Sequence, residues 1–400
     1  MKKIAILICF LLFSTSIWAQ NKPKYSEKPI YQFTDVKTLP VTQPQCQYKT
    51  SACWSFSTMA LLEAELLRMG KGEYDLSEMY IARCNTEKKT DKFVRMHGQI
   101  NYSPGGLTAN VFELIKDYGL MPEEAYKGLS YGSETHDHSE VDRLTDAYAK
   151  TLIKGRRLTT AWKQGLSGIL DAYFGEVPEK FTYKGKEYTT QSFAQSLDLN
   201  FNDYVFITSY THHPFYESFV LEIPDNYYWG EFYNVPLNEM IQIVDNAIET
   251  GYTLVWNMDM SSKGYSYHEG YGAVPEDDKD LDQTGSDRTR WEAASGNKNN
   301  AKKEEPKPIP VKEKAITQEM RQKSFDSYET VDDHLMLIMG TAKDQNGNRF
   351  YKVKDSWNIY ETRYRGYVYV SVPYMRYKTI GLTVHKDAIP AGIAAKLGIK

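Results

Sequence analysis

The sequence is poor in cysteine and lacks the long apolar runs of a membrane protein. Four cysteines in 400 residues are too few for a disulfide-rich scaffold. No uninterrupted apolar run after the N-terminal region reaches the length of a bilayer span, so we expect no membrane span in the mature chain. A clustered basic excess is also missing, since 48 Lys and Arg stand against 52 Asp and Glu, and we therefore expect no nucleic-acid partner.

What is present is a globular composition with an N-terminal export signal. Hydrophobic residues make up 41% and charged residues 25% of the chain. Residues 1–19 place Lys2 and Lys3 before the apolar stretch Ile4–Phe13 and end at Ala19, which suits a cleavage site. This order predicts a signal peptide and export to the periplasm or the medium. Ile8 before Cys9 is not a small residue, which argues against lipoprotein cleavage.

Removal of the signal leaves an odd number of cysteines. Cys46, Cys53 and Cys84 remain, so at least one thiol has no intramolecular disulfide partner. The sequence leaves open whether Cys46 and Cys84 pair. The odd count is a first indication that one thiol is kept for chemistry.

Apolar periodicity predicts a mainly helical first third. Residues 53–69 carry apolar side chains at three- and four-residue steps and are followed by Gly70, which predicts an amphipathic helix with a glycine C-cap. Leu76-Ser77-Glu78 predicts the start of a short helix through Ile81, and Thr108–Tyr118 predicts a third helix.

The middle of the chain is mixed, and its end is rich in strands. Pro236–Thr250 predicts a helix and Thr253–Met258 a strand. Residues 276–315 are dense in charged residues, Asn and Pro, which predicts an exposed, mobile excursion. From His334 onward strands are expected, with Asn346-Gly347 as a hairpin turn.

Cys53 has the features of an activated nucleophile. It opens a predicted helix, where unpaired N–H groups and the helix dipole favour the thiolate. A histidine would pair with the thiolate and protonate the leaving amine, and a third group would orient the imidazole. A hairpin from His334 to Asp355 returns these two residues towards each other. Gln47, six residues before Cys53, is a candidate oxyanion donor together with the Cys53 N–H.

These motifs together resemble the papain-like cysteine peptidases. Gln47 before Cys53-Trp54-Ser55-Phe56-Ser57 is similar to the active-site block of that family. The order of the remaining motifs also agrees: Leu76-Ser77-Glu78, the pair Gly105-Gly106, Asp333-His334 and Asp355-Ser356-Trp357. The resemblance implies an α+β papain-like fold over residues 20–400, with a helical half, an antiparallel β half and a cleft between them. It also implies that Gly105 and Gly106 present backbone to a peptide substrate.

The spacing is similar to one branch of that family, the bleomycin hydrolases or aminopeptidases C. Cys53 and His334 are 281 residues apart, against roughly 130–150 in ordinary members. The difference implies a large insertion, roughly residues 125–320. The branch implies a thiol aminopeptidase whose C-terminal carboxylate, here that of Lys400, meets the free amine of the substrate. It implies no cofactor and no metal, and it leaves a homo-oligomer open.

Two departures keep an alternative open. The family's asparagine is Asp355 here, and Asn358 replaces the usual glycine after the tryptophan. Aspartate can still orient an imidazole, so we expect an active enzyme. The alternative is a catalytically degenerate, papain-like peptide-binding protein. His212-His213 is followed by Pro214 and by no evident ligand cluster, which favours a structural or surface role.

Overall fold

The computed structural model describes residues 25–262, 264–276, 312–357 and 361–400. The predicted signal peptide at 1–19, most of the predicted excursion at 276–315, and Asn358 lie outside the described residues. The described helices are α1 Cys53–Arg68, α2 Glu78–Arg95, α3 Thr108–Tyr118, α4 Ser139–Leu152, α5 Ala161–Phe174, α6 Thr190–Ser196, α7 Leu237–Thr250, α8 Gln318–Asp326, α9 Val372–Lys378 and α10 Ala391–Leu397.

Most described strands belong to one mainly antiparallel sheet. They are β1 Thr34–Thr38, β2 Phe181–Tyr183, β3 Lys186–Tyr188, β4 Tyr204–Thr208, β5 Ser218–Val220, β6 Glu231–Asn234, β7 Leu254–Met258, β8 Tyr265–Ser266, β9 Tyr271–Gly272, β10 His334–Lys343, β11 Arg349–Lys354, β12 Tyr367–Ser371 and β13 Thr379–His385. The sheet order is β5-β6-β4-β13-β7-β10-β11-β12-β9-β8, β1 adds to β10, and β2 and β3 pair separately. Only β4–β6 and β9–β12 are parallel among these pairs.

The central strands separate two cores because their side chains alternate between the two faces. Val255, Leu335 and Leu337 face the core that α1, α2 and α3 supply. Their neighbours in β7 and β10, such as Trp256 and Met336, face the core that α7 supplies. The helix that begins at Cys53 therefore packs on one face of the sheet, and α7 packs on the other.

The structure confirms most of the predicted elements and lengthens one of them. Helices α1, α3 and α7 begin or end within a residue of the prediction, and the β10–β11 hairpin turns at Asn346-Gly347. The short helix predicted through Ile81 continues to Arg95. Its second half is polar, and it buries Asn85, Lys89 and Thr90, so apolar periodicity missed it. Strand β7, inside the predicted insertion, pairs with β10 at the centre of the sheet.

Two further expectations concern membranes and disulfides. Within the described ranges, no helix combines the length and apolarity that crossing a membrane needs. Cys84 is buried in α2 and forms no disulfide, so the Cys46–Cys84 bond that the sequence left open is not made. Burial raises the pKa of the Cys84 thiol to about 12, so this thiol stays protonated.

Candidate active site

Cys53 is the first residue of α1, and it is nearly buried, with 4% of its surface exposed. Ala52 precedes it as N-cap and offers no side-chain acceptor to the first turn. The partial positive charge of the helix N-terminus therefore acts on the Cys53 sulfur without competition from a capping side chain.

His334 and Asp355 meet at one end of the β10–β11 hairpin. His334 begins β10 and Asp355 follows the last residue of β11, so the antiparallel pairing brings them to the same edge. His334 Nε2 lies 2.8 Å from Asp355 Oδ1, and both side chains are almost fully buried. Asp355 Oδ1 also accepts the Ser356 N–H at 2.7 Å, which fixes the carboxylate.

The imidazole of His334 also interacts with the Cys53 side chain, by charge and by a hydrogen bond. Its Nδ1 is buried and meets no nitrogen or oxygen partner among the described residues, which leaves this atom to face the thiol. Burial lowers the pKa of His334, but the charges of Asp355 and Cys53 and their hydrogen bonds outweigh burial and raise the pKa to about 10. The site therefore favours the protonated imidazole of His334 at neutral pH.

Gln47 links the loop before α1 to the loop after β11. Its Oε1 accepts the Ser356 hydroxyl at 2.8 Å, and its backbone N–H donates to the Ser356 carbonyl at 2.6 Å. Its Nε2 donates one proton to the Thr50 carbonyl at 2.9 Å. The side chain is 2% exposed, so it has one fixed orientation with a second amide proton still to donate.

Gly105 and Gly106 pack beside the nucleophile through Trp54. The Trp54 indole N–H donates to the carbonyls of Ser51 at 3.0 Å and Pro104 at 3.1 Å. A Cβ on Gly106 would lie 3.0 Å from the Trp54 ring, so glycine allows this approach. The structure thus places the glycine pair beside Trp54 at the N-terminus of α1, and its contact with substrate stays a prediction.

An acidic residue from the middle of the chain lies against this glycine pair. The Asp225 carboxylate touches Gly105 so closely that a Cβ there would overlap it. Its Oδ1 accepts the Ser103 hydroxyl at 2.7 Å. The Lys89 ammonium beneath donates to the carbonyls of Ser103 and Gly105, each at 2.8 Å. Burial lowers the pKa of Lys89 to about 8, although the charges of Asp225 and Asp332 raise it.

Lys400 is the predicted site residue that the structure does not bring to the others. Helix α10 ends just before it, and Ile393, Leu397 and Ile399 pack in the α7 core. Lys396 donates to Glu239 of α7 at 2.6 Å. This core lies on the sheet face opposite Cys53, so the C-terminus does not enter the cleft in this structure. The burial of its apolar residues against α7 explains the difference.

A buried polar cluster lies behind Asp355. A small cavity touches Glu63, Glu78, Lys354 and Asp355. Burial raises the pKa of Glu63 to about 7, although Lys354 lowers it, and burial raises the pKa of Glu78 well above its usual value. Burial lowers the pKa of Lys354. This end of the sheet therefore holds two buried carboxyl groups, Glu63 and Glu78, whose protonated forms are favoured by burial.

Sequence patterns assign no role to three groups in the site: the Ser356 hydroxyl, Lys89 and Asp225. Ser356 stood in a recognised motif, and its hydroxyl was the available signal. Lys89 and Asp225 lie in polar stretches without a pattern that singles them out. Trp357 lies over His334, with ring centroids 5.9 Å apart, and so covers the histidine.

Comparisons with known proteins agree with this geometry. Residues 31–172 match the model of the papain family cysteine protease, a range that holds Gln47, Cys53 and Gly105. A crystal structure of PepW from Lactobacillus rhamnosis HN001 is 16% identical with a TM-score of 0.66, covering 91% of this chain and 84% of that chain. A digestive procathepsin L 3 from the larval midgut of Tenebrio molitor is 14% identical with a TM-score of 0.37, covering 89% and 70%. No curated protein matches the chain significantly.

The family match and the structural likeness agree. The family match covers residues 31–172, which include Cys53, and the likeness to PepW covers 91% of the chain. The predicted α+β papain-like fold and the resemblance to papain-like cysteine peptidases are confirmed. The bleomycin hydrolase branch stays a prediction.

Proposed function

We propose that this papain-like chain hydrolyses peptide bonds through a Cys53 thiolate and an acyl-enzyme. The observation that carries the proposal is the buried contact of 2.8 Å between His334 and Asp355, with Cys53 at the helix start as the other partner of the imidazole. This order of thiol, imidazole and orienting carboxylate is the arrangement that nucleophilic acyl transfer needs.

The reaction has two halves. The Cys53 sulfur attacks the peptide carbonyl carbon, and the electron pair of the C=O bond moves onto oxygen. When the C–N bond breaks, the imidazolium of His334 gives its proton to the leaving amine, and a thioester on Cys53 remains. Water then attacks the thioester, His334 takes the proton of that water, and the carboxylic acid leaves as the thiolate re-forms.

Gln47 supplies the oxyanion donor in this proposal. One of its amide protons is held by the Thr50 carbonyl, and its oxygen is held by Ser356, so the second proton has a fixed direction. Together with the Cys53 N–H it would stabilise the oxyanion of both tetrahedral intermediates. Removing one such donor costs roughly 10²–10³ in kcat in a comparable site.

The test is Cys53→Ala, with Cys84→Ala as the matched control for loss of a buried thiol. We expect Cys53→Ala to abolish release of a fluorogenic amine from aminoacyl and peptidyl substrates, while its unfolding temperature stays near that of the parent. Cys84→Ala should keep kcat once corrected for folded protein. Activity that survives in Cys53→Ala would sink the proposal.

The alternative is a degenerate, non-catalytic peptide-binding protein, which Asp355 motivates. A thiol-directed epoxide separates the two functions, because an activated thiolate opens the epoxide and an inert thiol does not. We expect stoichiometric labelling at Cys53 by mass spectrometry. Peptide binding without labelling or turnover would favour the alternative.

We further propose that the enzyme prefers peptides with a free N-terminus and that Asp225 receives the amine. An aminopeptidase needs a negative group near the residue that precedes the scissile bond. The C-terminal helix packs on the other face of the sheet, whereas the Asp225 carboxylate touches Gly105 of the predicted substrate-binding pair. A carboxylate that meets an ammonium group would form a charge-assisted hydrogen bond.

Blocked and unblocked forms of one substrate test this preference. We expect Asp225→Asn to lower kcat/KM for the free-amine substrate by about tenfold, which is about 1.4 kcal/mol, and to leave the acetylated form nearly unchanged. Removal of Ile399 and Lys400 is the control, and it should leave the ratio of the two substrates as it was. If this truncation abolishes the preference and Asp225→Asn does not, the tail and not Asp225 binds the amine.

Export is part of the proposed function and rests on residues 1–19 alone. We expect the mature protein to begin at Gln20 and to be recovered outside the cytoplasm. N-terminal sequencing of the protein from its native compartment checks both statements, and a chain that retains Met1 in the cytoplasm would contradict them.

A further inference from the structure

Two histidines and a glutamate converge away from the cleft, beside β5. His212 Nε2 lies 3.2 Å from Glu222 Oε2, and His213 Nε2 lies 2.9 Å from Glu222 Oε1. The three candidate ligand atoms all lie within 4.8 Å of one another. His212 and His213 precede β5 and Glu222 follows it, so a short strand brings the three side chains together.

The backbone that carries both histidines is held by a buried amide. Asn234 is fully buried at the end of β6. Its Nδ2 donates to the Tyr210 carbonyl at 2.7 Å and to the His213 carbonyl at 2.9 Å. Its Oδ1 accepts the Tyr210 N–H at 2.9 Å. These hydrogen bonds fix the backbone positions from which the two imidazole side chains extend.

Aromatic neighbours fix the imidazole planes. The His213 ring stacks on Phe219, with centroids 4.1 Å apart and planes 22° from parallel. The His212 ring lies 13° from parallel to Phe325 of α8, with centroids 5.9 Å apart. Rings held in this way lose little rotamer entropy when a ligand binds, which is a property of preorganised metal sites.

Gln322 of α8 supports the outer nitrogen of His212. Its Oε1 accepts the Thr211 N–H at 2.6 Å and its Nε2 donates to Asp326 at 2.8 Å, which orients the amide, and this Nε2 lies 3.0 Å from His212 Nδ1. With the amide donating to Nδ1, the His212 proton is on Nε2 and faces Glu222, so a metal ion that binds Nε2 releases this proton. The contact with Gln322 holds the ring in position from its outer side.

We propose that His212, His213 and Glu222 bind a divalent transition metal ion, and that zinc fits best. Two neutral imidazoles and a carboxylate are ligands that zinc accepts, with a fourth position left for water. Zinc at about 2.0–2.1 Å from each ligand places the ligands roughly 3.3 Å apart. The separations of 3.2 Å between His212 Nε2 and Glu222 and of 2.9 Å between His213 Nε2 and Glu222 are close to that spacing. Hard cations such as magnesium prefer oxygen ligands and should not bind here.

The ion would tie the loop before β5 to the segment after it. Glu222 stands three residues before Asp225, which lies against Gly105 at the cleft. Zinc bound to Glu222 would therefore hold the start of the segment that brings Asp225 to the cleft. Binding to the folded chain alone also raises its unfolding temperature by mass action.

Zinc titration by calorimetry tests the site. The protein carries no polyhistidine tag, and all samples carry Cys53→Ala so that zinc cannot bind the catalytic thiolate. We expect one zinc ion per chain and a rise in unfolding temperature with zinc but not with magnesium. The double variant His212→Gln/His213→Gln should lose affinity by at least about tenfold, the lower end of what loss of even a supporting group costs. His97→Gln, at an exposed histidine on another surface, is the matched control and should bind as the parent does.

Two outcomes would overturn the proposal. One is a parent chain that binds no zinc at a concentration on the order of 10⁻⁴ M, which is weak binding for a protein site. The other is a double variant that binds zinc as tightly as the parent, because the ion would then sit elsewhere. Glu222→Gln is the second variant if the double variant unfolds. It removes one charged ligand, keeps both rings in place, and should also weaken zinc binding.

Discussion

Asp355 stands where papain-like peptidases have an asparagine. Replacing the amide nitrogen by an oxygen changes the charge next to the imidazole. An asparagine oxygen would accept the same hydrogen bond from His334 without a formal charge. The carboxylate accepts it at 2.8 Å and, together with Cys53, outweighs burial in raising the pKa of His334 to about 10. The aspartate therefore stabilises the imidazolium more than an amide would.

Asp355→Asn should shift the alkaline limb of the kcat profile to lower pH by at least one unit, because the negative charge that holds the proton on His334 is lost. We expect activity to remain at pH 6, since an amide still orients the imidazole. A kcat series from pH 5 to 11 measures the limb. Asp198→Asn, at an exposed carboxylate, is the control and should leave it in place. An unmoved limb in Asp355→Asn would contradict the proposed role of the carboxylate.

The same pKa predicts how stability depends on pH. The pKa of His334 is raised in the folded chain, to about 10 from the usual 6.5, so its contribution to stability is complete below pH 6.5 and is lost as pH rises through 10. We expect the unfolding free energy of the parent to fall over this window by more than that of Asp355→Asn. Urea unfolding of both proteins at pH 6, 8 and 10 checks this sign.

Ser356→Ala should lower kcat by about tenfold with little change in KM, because the Gln47 carbonyl loses its donor and the oxyanion amide loses its fixed direction. Ser324→Ala removes another buried hydroxyl, whose hydrogen bonds go to Arg321 and Thr330 and not to Gln47, and serves as the control. Steady-state kinetics of the two variants decide the outcome. Equal losses in both would mean that Ser356 contributes only to folding.

At the scale of elements, the site is a junction of three pieces of chain. Helix α1 carries Cys53, the β10–β11 hairpin carries His334 and leads into Asp355, and the segment 104–106 packs against Trp54 of α1. Each piece positions the next by packing on backbone. Small displacements of atoms within these pieces should therefore change the position of the Cys53 sulfur.

Gly106→Ala tests the packing of that segment. The added Cβ would lie 3.0 Å from the Trp54 ring, which is buried and cannot retreat, so the neighbouring Cys53 must move. We expect the unfolding free energy to fall by about 1–3 kcal/mol, as overpacking usually costs, and kcat/KM to fall at least tenfold. Gly392→Ala in α10 meets open space and is the control. It should be neutral or slightly stabilising.

The elements show what sequence patterns predict and what they miss. Helices α1, α3 and α7 and the hairpin were predicted because each has an apolar face or a turn signal. The second half of α2 was missed because it buries polar groups that tertiary contacts satisfy, such as Lys89 on the Gly105 carbonyl. The apolar periodicity of a sequence does not show a hydrogen bond from a buried polar side chain to a carbonyl elsewhere in the chain.

The site shows the same division. Cys53, His334, Asp355 and Gln47 were predicted from motifs and chain order, and the structure brings them together. Asp225 could not be predicted, because its closeness to Gly105 depends on how a whole intervening segment folds. Lys400 was assigned from the resemblance alone, and local packing of α10 against α7 decided its position instead.

At the scale of the whole molecule, the segments around residues 276 and 312 lie side by side. Pro275 and Glu313 form an antiparallel bridge, and the Glu276 N–H donates to the Lys312 carbonyl at 2.8 Å. The Glu313 carboxylate also accepts the Val274 N–H at 2.8 Å. These contacts hold the two segments together.

Replacing residues 277–311 with four glycine-rich residues should therefore leave fold and activity intact. Loop-closure entropy predicts a gain in stability on the order of 1–2 kcal/mol for such a shortening. Thermal unfolding and kcat/KM measure both properties. A deletion extended to 274–313 is the matched control and should destabilise, because it removes the bridge. Loss of activity in the shorter deletion alone would mean that the segment takes part in substrate binding.

The two hydrogen bonds between Gln47 and Ser356 have a consequence for how the enzyme fails. They join the loop that precedes Cys53 to the loop that carries Asp355, so the proposed oxyanion donor also links the two halves of the molecule. The two halves stay together while these hydrogen bonds are intact. Once the bonds break, the Gln47 amide loses its fixed direction. Heating should consequently extinguish turnover at the first separation of the halves, before either half melts. Residual activity would then be a sensitive measure of the contact between the two halves.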